Sequence, residues 1–154
     1  MQNTGWAVIK KLNNSYRFLD CGTIVTTTKE ALQDRLAKIN TELSKAVEKY
    51  KIQTASIEET FVNKNNLSSL KLGHAKGAIL LSLCLANIKA TEYSAKQVKK
   101  SVVGAGAAGK KQVEAMVKML VSNCQFNNDH EADAIAIAVC HGNSMGFNNY
   151  RNAV

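Results

Sequence analysis

The strongest constraint on the fold is a change of hydrophobic period early in the chain. Residues 5–10 and 15–27 are rich in β-branched and aromatic side chains, and the turn-like sequence 11–14 lies between them. This pattern predicts a β-hairpin. Between Ala31 and Tyr50, apolar residues instead recur at spacings of three and four, which predicts a long amphipathic helix. A chain that begins in this way is expected to pack helices against a sheet.

The same alternation continues along the rest of the sequence. The further predicted elements are strands over 54–57 and 88–93, and helices over 67–87, from 94, over 110–121 and over 128–140. Capping-box patterns precede two of the predicted helices, Thr27 with Glu30 and Ser94 with Gln97. The mixture predicts an α/β or α+β sheet with helices on both sides.

Length and composition favour one domain. The chain has 154 residues, of which 45% are hydrophobic, so a core can form. It contains no proline, so no such breaker marks an internal boundary. We expect one domain over 1–142 and a loose tail over 143–154. There is no apolar run of about 18 residues, no secretory signal and no closely spaced cysteine pair. We therefore expect a cytoplasmic protein with reduced thiols and no membrane association.

The charge favours a polyanionic partner. The formal net charge is +8 at pH 7, which attracts a small domain to nucleic acid or another polyanion. Between positions 96 and 118 the chain carries one acid, Glu114, and six lysines, which are Lys96, Lys99, Lys100, Lys110, Lys111 and Lys118.

Acidic residues supply the strongest candidate for chemistry. Glu58 follows the strand predicted over 54–57, and His130 and Asp133 share one face of the last predicted helix. An acid at the head of so apolar a helix is costly to bury unless it binds a cation or a donor. Carboxylates in this arrangement can bind Mg²⁺, and two such ions can activate water and stabilise a leaving oxygen. The alternative is that Asp129 caps the helix, Glu59 lies on the surface and His130 is an ordinary polar residue.

Three other patterns have competing interpretations. The loop 104–109 has the form GxGxxG and, with Lys110, GxxxxGK, but it does not follow a strand and Lys111 stands where Ser or Thr is needed. Nucleotide binding is therefore disfavoured, and either a backbone-gripping loop or a solvated linker remains open. Phe61 could stack on an unpaired base or fold back onto the core. A zinc site is disfavoured because its candidates lack tight spacing; they are Cys124, His130, Cys140 and His141.

Five segments between about residues 3 and 142 together carry a family pattern. The segments are Thr4-Gly5-Trp6-Ala7-Val8-Ile9, Ile57-Glu58-Glu59-Thr60-Phe61, Lys71-Leu72-Gly73-His74-Ala75-Lys76-Gly77, Gln97-Val98-Lys99-Lys100-Ser101-Val102-Val103-Gly104 and His130-Glu131-Ala132-Asp133-Ala134-Ile135-Ala136-Ile137-Ala138. In their order and spacing they resemble one family, the RuvC Holliday junction resolvases.

The resemblance implies a fold and an activity. The fold is a ribonuclease H-like α/β domain with a five-stranded central sheet flanked by helices. The implied activity is Mg²⁺-dependent nicking of opposing strands of a four-way DNA junction by a homodimer, with two ions in each active site. A branch-migration helicase is the implied partner.

The resemblance also assigns roles to residues. It implies that Glu58, His130 and Asp133 are the catalytic and metal-binding residues. It places Phe61 at the opened crossover, and Lys99 and Lys110 near the scissile strand. The further implied DNA contacts are Lys64, Lys100 and Lys111.

One family feature has no counterpart in this sequence. The family's first, central strand ends in Asp-Pro-Gly just before the segment matching 2–5, and its aspartate bridges the two metal ions. We therefore expect this central strand to be missing or incomplete here, and the natural product to start upstream of Met1. Two alternatives follow, a junction-binding protein without catalysis and, less favoured by the basic loop and Phe61, a nuclease of RNA–DNA hybrids.

Overall fold

The structure, a computed structural model, describes residues 2–59 and 66–151, with side chains over 2–59 and 69–145. Its elements in chain order are β1 (Asn3–Leu12), β2 (Ser15–Val25), α1 (Leu32–Tyr50), β3 (Ala55–Glu58), α2 (Asn66–Leu85), β4 (Ala90–Tyr93), α3 (Ala95–Val103), α4 (Lys110–Leu120), β5 (Val121–Ser122) and α5 (Asp129–Arg151). The predicted order of strands and helices is confirmed, with one addition, the short strand β5.

The predicted hairpin is formed by β1 and β2. The two strands pair antiparallel from Asn3 with Val25 to Leu12 with Ser15. Asn13 in the connecting turn has a φ of 52°, a left-handed conformation that asparagine tolerates better than most residues. The hairpin is the largest continuous piece of sheet that the structure describes.

The strands form two sheets rather than the single five-stranded sheet that the resemblance implied. β2 pairs with β1 and, in parallel, with β5, while β3 and β4 form a separate parallel pair. Among the described residues, no strand pairing joins the β1–β2–β5 sheet to the β3–β4 pair. Here α5 packs against both sheets and approaches β1 so closely that a Cβ on Gly5 would lie 2.1 Å from the carbonyl oxygen of His130.

Helices pack on both sides of the hairpin, as predicted. Ile24 of β2, Ile39 of α1 and Ala75 of α2 form one core, which Trp6 joins. The larger core joins α3, α4 and α5 to the strands, and Ala7 packs against it. Because successive strand side chains point to opposite faces, the neighbours Trp6 and Ala7 enter different cores.

The starts of two helices test the predicted caps. The capping box of Ser94 with Gln97 is present at the start of α3. The one predicted for Thr27 is wrong, because α1 begins at Leu32 with Ala31 as its N-cap. The Glu30 carboxylate instead accepts the backbone N–H of Thr27 at 3.0 Å, which closes a turn before the helix.

The end of α5 corrects the predicted tail. The helix continues past Gly142 to Arg151, so residues 143–151 are helical rather than loose. The Tyr16 hydroxyl donates to the Asn143 side chain at 2.6 Å and anchors this extension to β2. None of the helices within the described residues is long and apolar enough to cross a membrane.

Candidate active site

An acidic pocket lies where β3 ends beside the first turns of α5. Glu58 is the last residue of β3, and with Asp133 of α5 it lines a cavity of about 240 Å³. Lys99 of α3 and Lys110 of α4 line the same cavity. The apolar side chains of the wall are Ala95, Val98, Val113, Ala136 and Ile137. The structure thus brings together two predicted acids and two predicted lysines.

Strand pairing places Glu58 at this edge. β3 and β4 are parallel, with Glu58 opposite Tyr93, so both strands end at the same side of the sheet. The backbone N–H of Glu59 donates to the Tyr93 carbonyl at 2.9 Å and extends the pairing by one residue. The Ser56 hydroxyl donates to the Ile137 carbonyl at 3.4 Å and ties β3 to α5. The Glu58 side chain is therefore held against the helix that carries Asp133.

The surroundings of both carboxylates disfavour their charged forms. Burial raises the pKa of Glu58, and the nearby negative charge of Asp133 raises it further. Burial also raises the pKa of Asp133, although Lys110 opposes that change. Within the described part of the chain, the Glu58 carboxylate accepts no hydrogen bond. A pair of poorly compensated carboxylates is a site that a cation would stabilise.

The donor set fits a magnesium ion that keeps part of its water shell. Mg²⁺ prefers oxygen ligands and is commonly bound through one or two carboxylates together with water and substrate phosphate. Glu58 and Asp133 supply two such carboxylates. No group of three metal-binding side chains of the His, Cys, Asp or Glu type comes together within residues 2–59 and 66–151.

His130 lies outside this pocket, although the sequence grouped it with Asp133. Its side chain is exposed, and its Nε2 lies 3.1 Å from the side-chain Nδ2 of Asn3 in β1. It lines an open neighbouring cavity of about 560 Å³ together with Asn3 and Asp129. Its positive form would still lower the pKa of Asp133, so the two residues are close in space.

Asp129 contributes a contact that sequence reasoning did not assign. Lys110 Nζ lies 2.8 Å from Asp129 Oδ2 and 3.9 Å from Asp133 Oδ2. The signal was present in the sequence, because residues four apart on a helix share a face and can reach one cation. Asp129 therefore holds the Lys110 ammonium at the mouth of the pocket.

The remaining predicted DNA contacts flank the pocket or lie beyond the described residues. Lys100 and Lys111 are exposed, next to the pocket lysines. The 104–109 loop joins α3 to α4, and Gly104 ends α3 with a φ of 84°. This loop follows a helix, which contradicts a dinucleotide-binding strand–turn–helix. Phe61 and Lys64 lie outside the described residues.

Two of the residues considered for zinc have other surroundings. Cys140 is 2% exposed in the larger core. His141 is hydrogen-bonded to the hydroxyls of Thr54 and Tyr93.

Comparison with known proteins identifies relatives along the whole chain. The family model for crossover junction endodeoxyribonuclease RuvC matches residues 1–141. The RuvC of Rhizobium leguminosarum bv. trifolii (strain WSM2304) is 39% identical over 154 residues, which cover all of this chain and 91% of that protein. The RuvC of Chelativorans sp. (strain BNC1) is 40% identical over 141 residues, 92% of this chain and 82% of that protein.

Solved structures agree with the sequence comparison. Thermus thermophilus RuvC superposes with a TM-score of 0.85 at 26% identity, covering 96% of this chain and 91% of that chain. T. thermophilus RuvC in complex with a Holliday junction substrate gives a TM-score of 0.86 at 28% identity, covering 92% and 88%. These neighbours have the ribonuclease H-like fold that the family resemblance implied. The chain belongs to the RuvC family of crossover junction endodeoxyribonucleases.

Proposed function

We propose that this protein resolves four-way (Holliday) DNA junctions in recombination and repair by paired, Mg²⁺-dependent nicks. The observation that carries the proposal is the pocket in which Glu58 and Asp133 face each other between Lys99 and Lys110. A neighbouring solved structure is a complex of RuvC with a Holliday junction substrate, which supports the same class of DNA for this chain.

The two acids would hold Mg²⁺, and His130 would complete the site. When bound, Mg²⁺ would activate water and stabilise the leaving oxygen of the phosphodiester, with two ions expected per site. By holding the ion between them, Glu58 and Asp133 would orient the reacting phosphate that the ion contacts. His130 would act in its neutral form whether it binds metal or accepts a proton, and its Nε2 now contacts the Asn3 side chain.

The lysines would hold the DNA backbone beside the acids. Lys110 now balances Asp129 and Asp133, and a phosphate entering the pocket would compete for its ammonium. Lys99 lines the pocket, and the exposed neighbours Lys100 and Lys111 would add positive charge for the phosphates. We also propose that Lys64 contacts DNA and that Phe61 stacks at the opened crossover, just past the site glutamate in sequence.

Paired nicks require two active sites, so we propose a homodimer. Helix α2 offers an unusual surface for it. Leu70, Leu81 and Leu85 are 58%, 59% and 73% exposed, and Gly73 and Gly77 leave open space on the same helix. Large exposed apolar side chains beside small residues are typical of helix-to-helix interfaces. In the cytoplasm, the dimer would act with a branch-migration helicase complex.

A sealed synthetic four-way junction tests the proposed activity. The protein with Mg²⁺ should produce symmetric, religatable nicks, whereas duplex DNA and an RNA–DNA hybrid should stay uncut. Glu58→Gln and Asp133→Asn should each reduce nicking by about 100-fold or more and leave junction affinity in EDTA unchanged. Glu59→Gln, a change at the exposed neighbour, is the matched control and should cut normally. Equal activity in all variants would refute the assignment.

The second candidate is a junction-binding protein that does not cut. It is favoured by the presence of two, rather than three, clustered acidic side chains within the described residues. The same assay separates the candidates: salt-sensitive junction binding without nicks under any divalent cation supports the second one.

A further inference from the structure

A buried polar cluster joins three elements behind the acidic pocket. His141 of α5 and Tyr93 of β4 are each 8% exposed. His141 Nε2 lies 2.8 Å from the Thr54 hydroxyl, and His141 Nδ1 lies 3.0 Å from the Tyr93 hydroxyl. The two rings also meet edge to face, with centroids 5.8 Å apart. We call Thr54, Tyr93 and His141 the imidazole clamp.

The clamp holds the same elements that carry the two acids. Thr54 directly precedes β3, which ends in Glu58. Tyr93 lies opposite Glu58 in the parallel pairing. His141 lies about two helical turns beyond Asp133 on α5. A shift of α5 against the β3–β4 pair would change the separation of Glu58 and Asp133. The clamp resists this shift together with the Ser56–Ile137 hydrogen bond.

The chemistry of the clamp favours a single arrangement. Burial lowers the pKa of His141, so the ring is neutral near pH 7. A neutral ring has one N–H donor and one acceptor, and each hydroxyl can supply the complementary role. All three polar groups are therefore satisfied. Removal of one leaves a buried partner unpaired, which costs more than the lost bond itself.

We propose that the imidazole clamp is a positioning unit that sets the Glu58–Asp133 separation required for divalent-cation binding. The clamp does not touch DNA or the reacting atoms, and the inference rests on the proposed metal-dependent function. Supports behind metal ligands commonly contribute about 10-fold or more to metal affinity, so a measurable effect on the cation is expected.

Near-isosteric variants test the clamp. Tyr93→Phe and Thr54→Val each remove one hydroxyl and keep most of the side-chain volume. Mn²⁺ binding is measured by isothermal calorimetry on the full chain without DNA, and nicking is measured against Mn²⁺ concentration. Each variant should bind Mn²⁺ about 10-fold more weakly. Nicking should recover at high Mn²⁺, and junction affinity in EDTA should stay within about twofold of the unmodified protein.

Ile39→Ala separates positioning from stability. Ile39 is fully buried on α1, in the core that contains none of the clamp residues, so its truncation weakens the fold and leaves the clamp in place. It should lower the melting temperature and leave Mn²⁺ affinity unchanged. If the clamp variants also lose only stability, the clamp is structural and the proposal is wrong, while the proposed function stands. If the clamp variants weaken Mn²⁺ binding but the unmodified protein never nicks a junction, the function fails and the clamp stands. No Mn²⁺ binding at all overturns both.

Discussion

Two acids on the same turn of α5 have opposite surroundings. Glu131 is 5% exposed, and its carboxylate accepts the backbone N–H of Asn127 at 2.7 Å and the hydroxyl of Thr23 at 3.2 Å. The Asn128 amide at 3.0 Å and the Cys21 thiol at 3.5 Å complete its donors. Asp133, two residues later, faces Glu58 across an open pocket, and its nearest cation is 3.9 Å away.

The pKa values separate in the same way. Burial alone would raise the pKa of Glu131, but its hydrogen bonds outweigh burial and the pKa is lowered. Burial and incomplete compensation leave the pKa of Glu58 and Asp133 raised. A carboxylate surrounded by donors stabilises the fold, whereas a pair without them holds negative charge ready for a cation. This difference distinguishes a structural acid from the pair proposed to bind a cation more sharply than the sequence spacing does.

The largest effect on stability is expected for Glu131→Gln. An amide supplies one acceptor oxygen in place of two and turns an N–H₂ group toward existing donors. Loss of hydrogen bonds to a buried charge costs about 2 kcal/mol, which lowers the melting temperature by about 4–8 °C in a chain of this size. Thermal unfolding in EDTA measures this change.

Glu30→Gln provides the matched control for that experiment. Glu30 accepts a single backbone bond in an exposed turn, so the same chemical change should cost well under about 1 kcal/mol. An equal loss in both variants would show that the donors around Glu131 contribute nothing special.

Glu58→Gln and Asp133→Asn should change stability with the opposite sign. Their raised pKa values mean that the folded state disfavours the charged forms, so neutral replacements remove that penalty. Both side chains are partly exposed and screened by solvent, so the gain is about 0.5 kcal/mol or less. Differential scanning calorimetry near pH 7 in EDTA should show unchanged or slightly raised melting temperatures. A clear decrease would mean that these acids stabilise the fold, and the contrast with Glu131 would fail.

The sequence predicted one side of this contrast and missed the other. Glu58 was evident at a strand end, and Asp133 at the head of an apolar helix. Glu131 gave no signal, because its donors come from Thr23 and Cys21 on a distant strand and from the turn before α5. Helical spacing also grouped His130 with Asp133, but the approach of α5 to Gly5 places His130 against Asn3 instead.

For the fold too, the features set by local sequence period were predictable, and those set by contacts between distant segments were not. The hairpin and the alternation of strands with helices follow from local period. The extension of α5 past Gly142 did not follow from local period, and its Asn143 contact with Tyr16 joins residues far apart in sequence. The division into two sheets concerns strand pairing between distant segments, on which local period carries no information.

The change of these stability differences with pH should be smaller than the differences themselves. It compares Glu131 directly with Glu58, because their pKa values are shifted in opposite directions. The charged form of Glu131 stabilises the fold, and its folded-state pKa is lowered, so its contribution is complete above the ordinary value of 4.5 and is lost as the pH falls through the lowered pKa. The folded-state pKa of Glu58 is raised, so its destabilising charge is complete above that raised pKa and is gone below the ordinary value of 4.5.

The two variants should therefore lose their effects in a fixed order on acidification. Urea unfolding of each variant and of the unmodified protein, from about pH 7 to about pH 3, measures the free energy of unfolding. The small gain in this free energy for Glu58→Gln should fade first, above pH 4.5. The deficit of Glu131→Gln should persist to that pH and shrink only below it. The reverse order would show that the pocket acids, rather than Glu131, are stabilised in their charged form. The proposed cation site would then no longer be supported by the surroundings of Glu58 and Asp133.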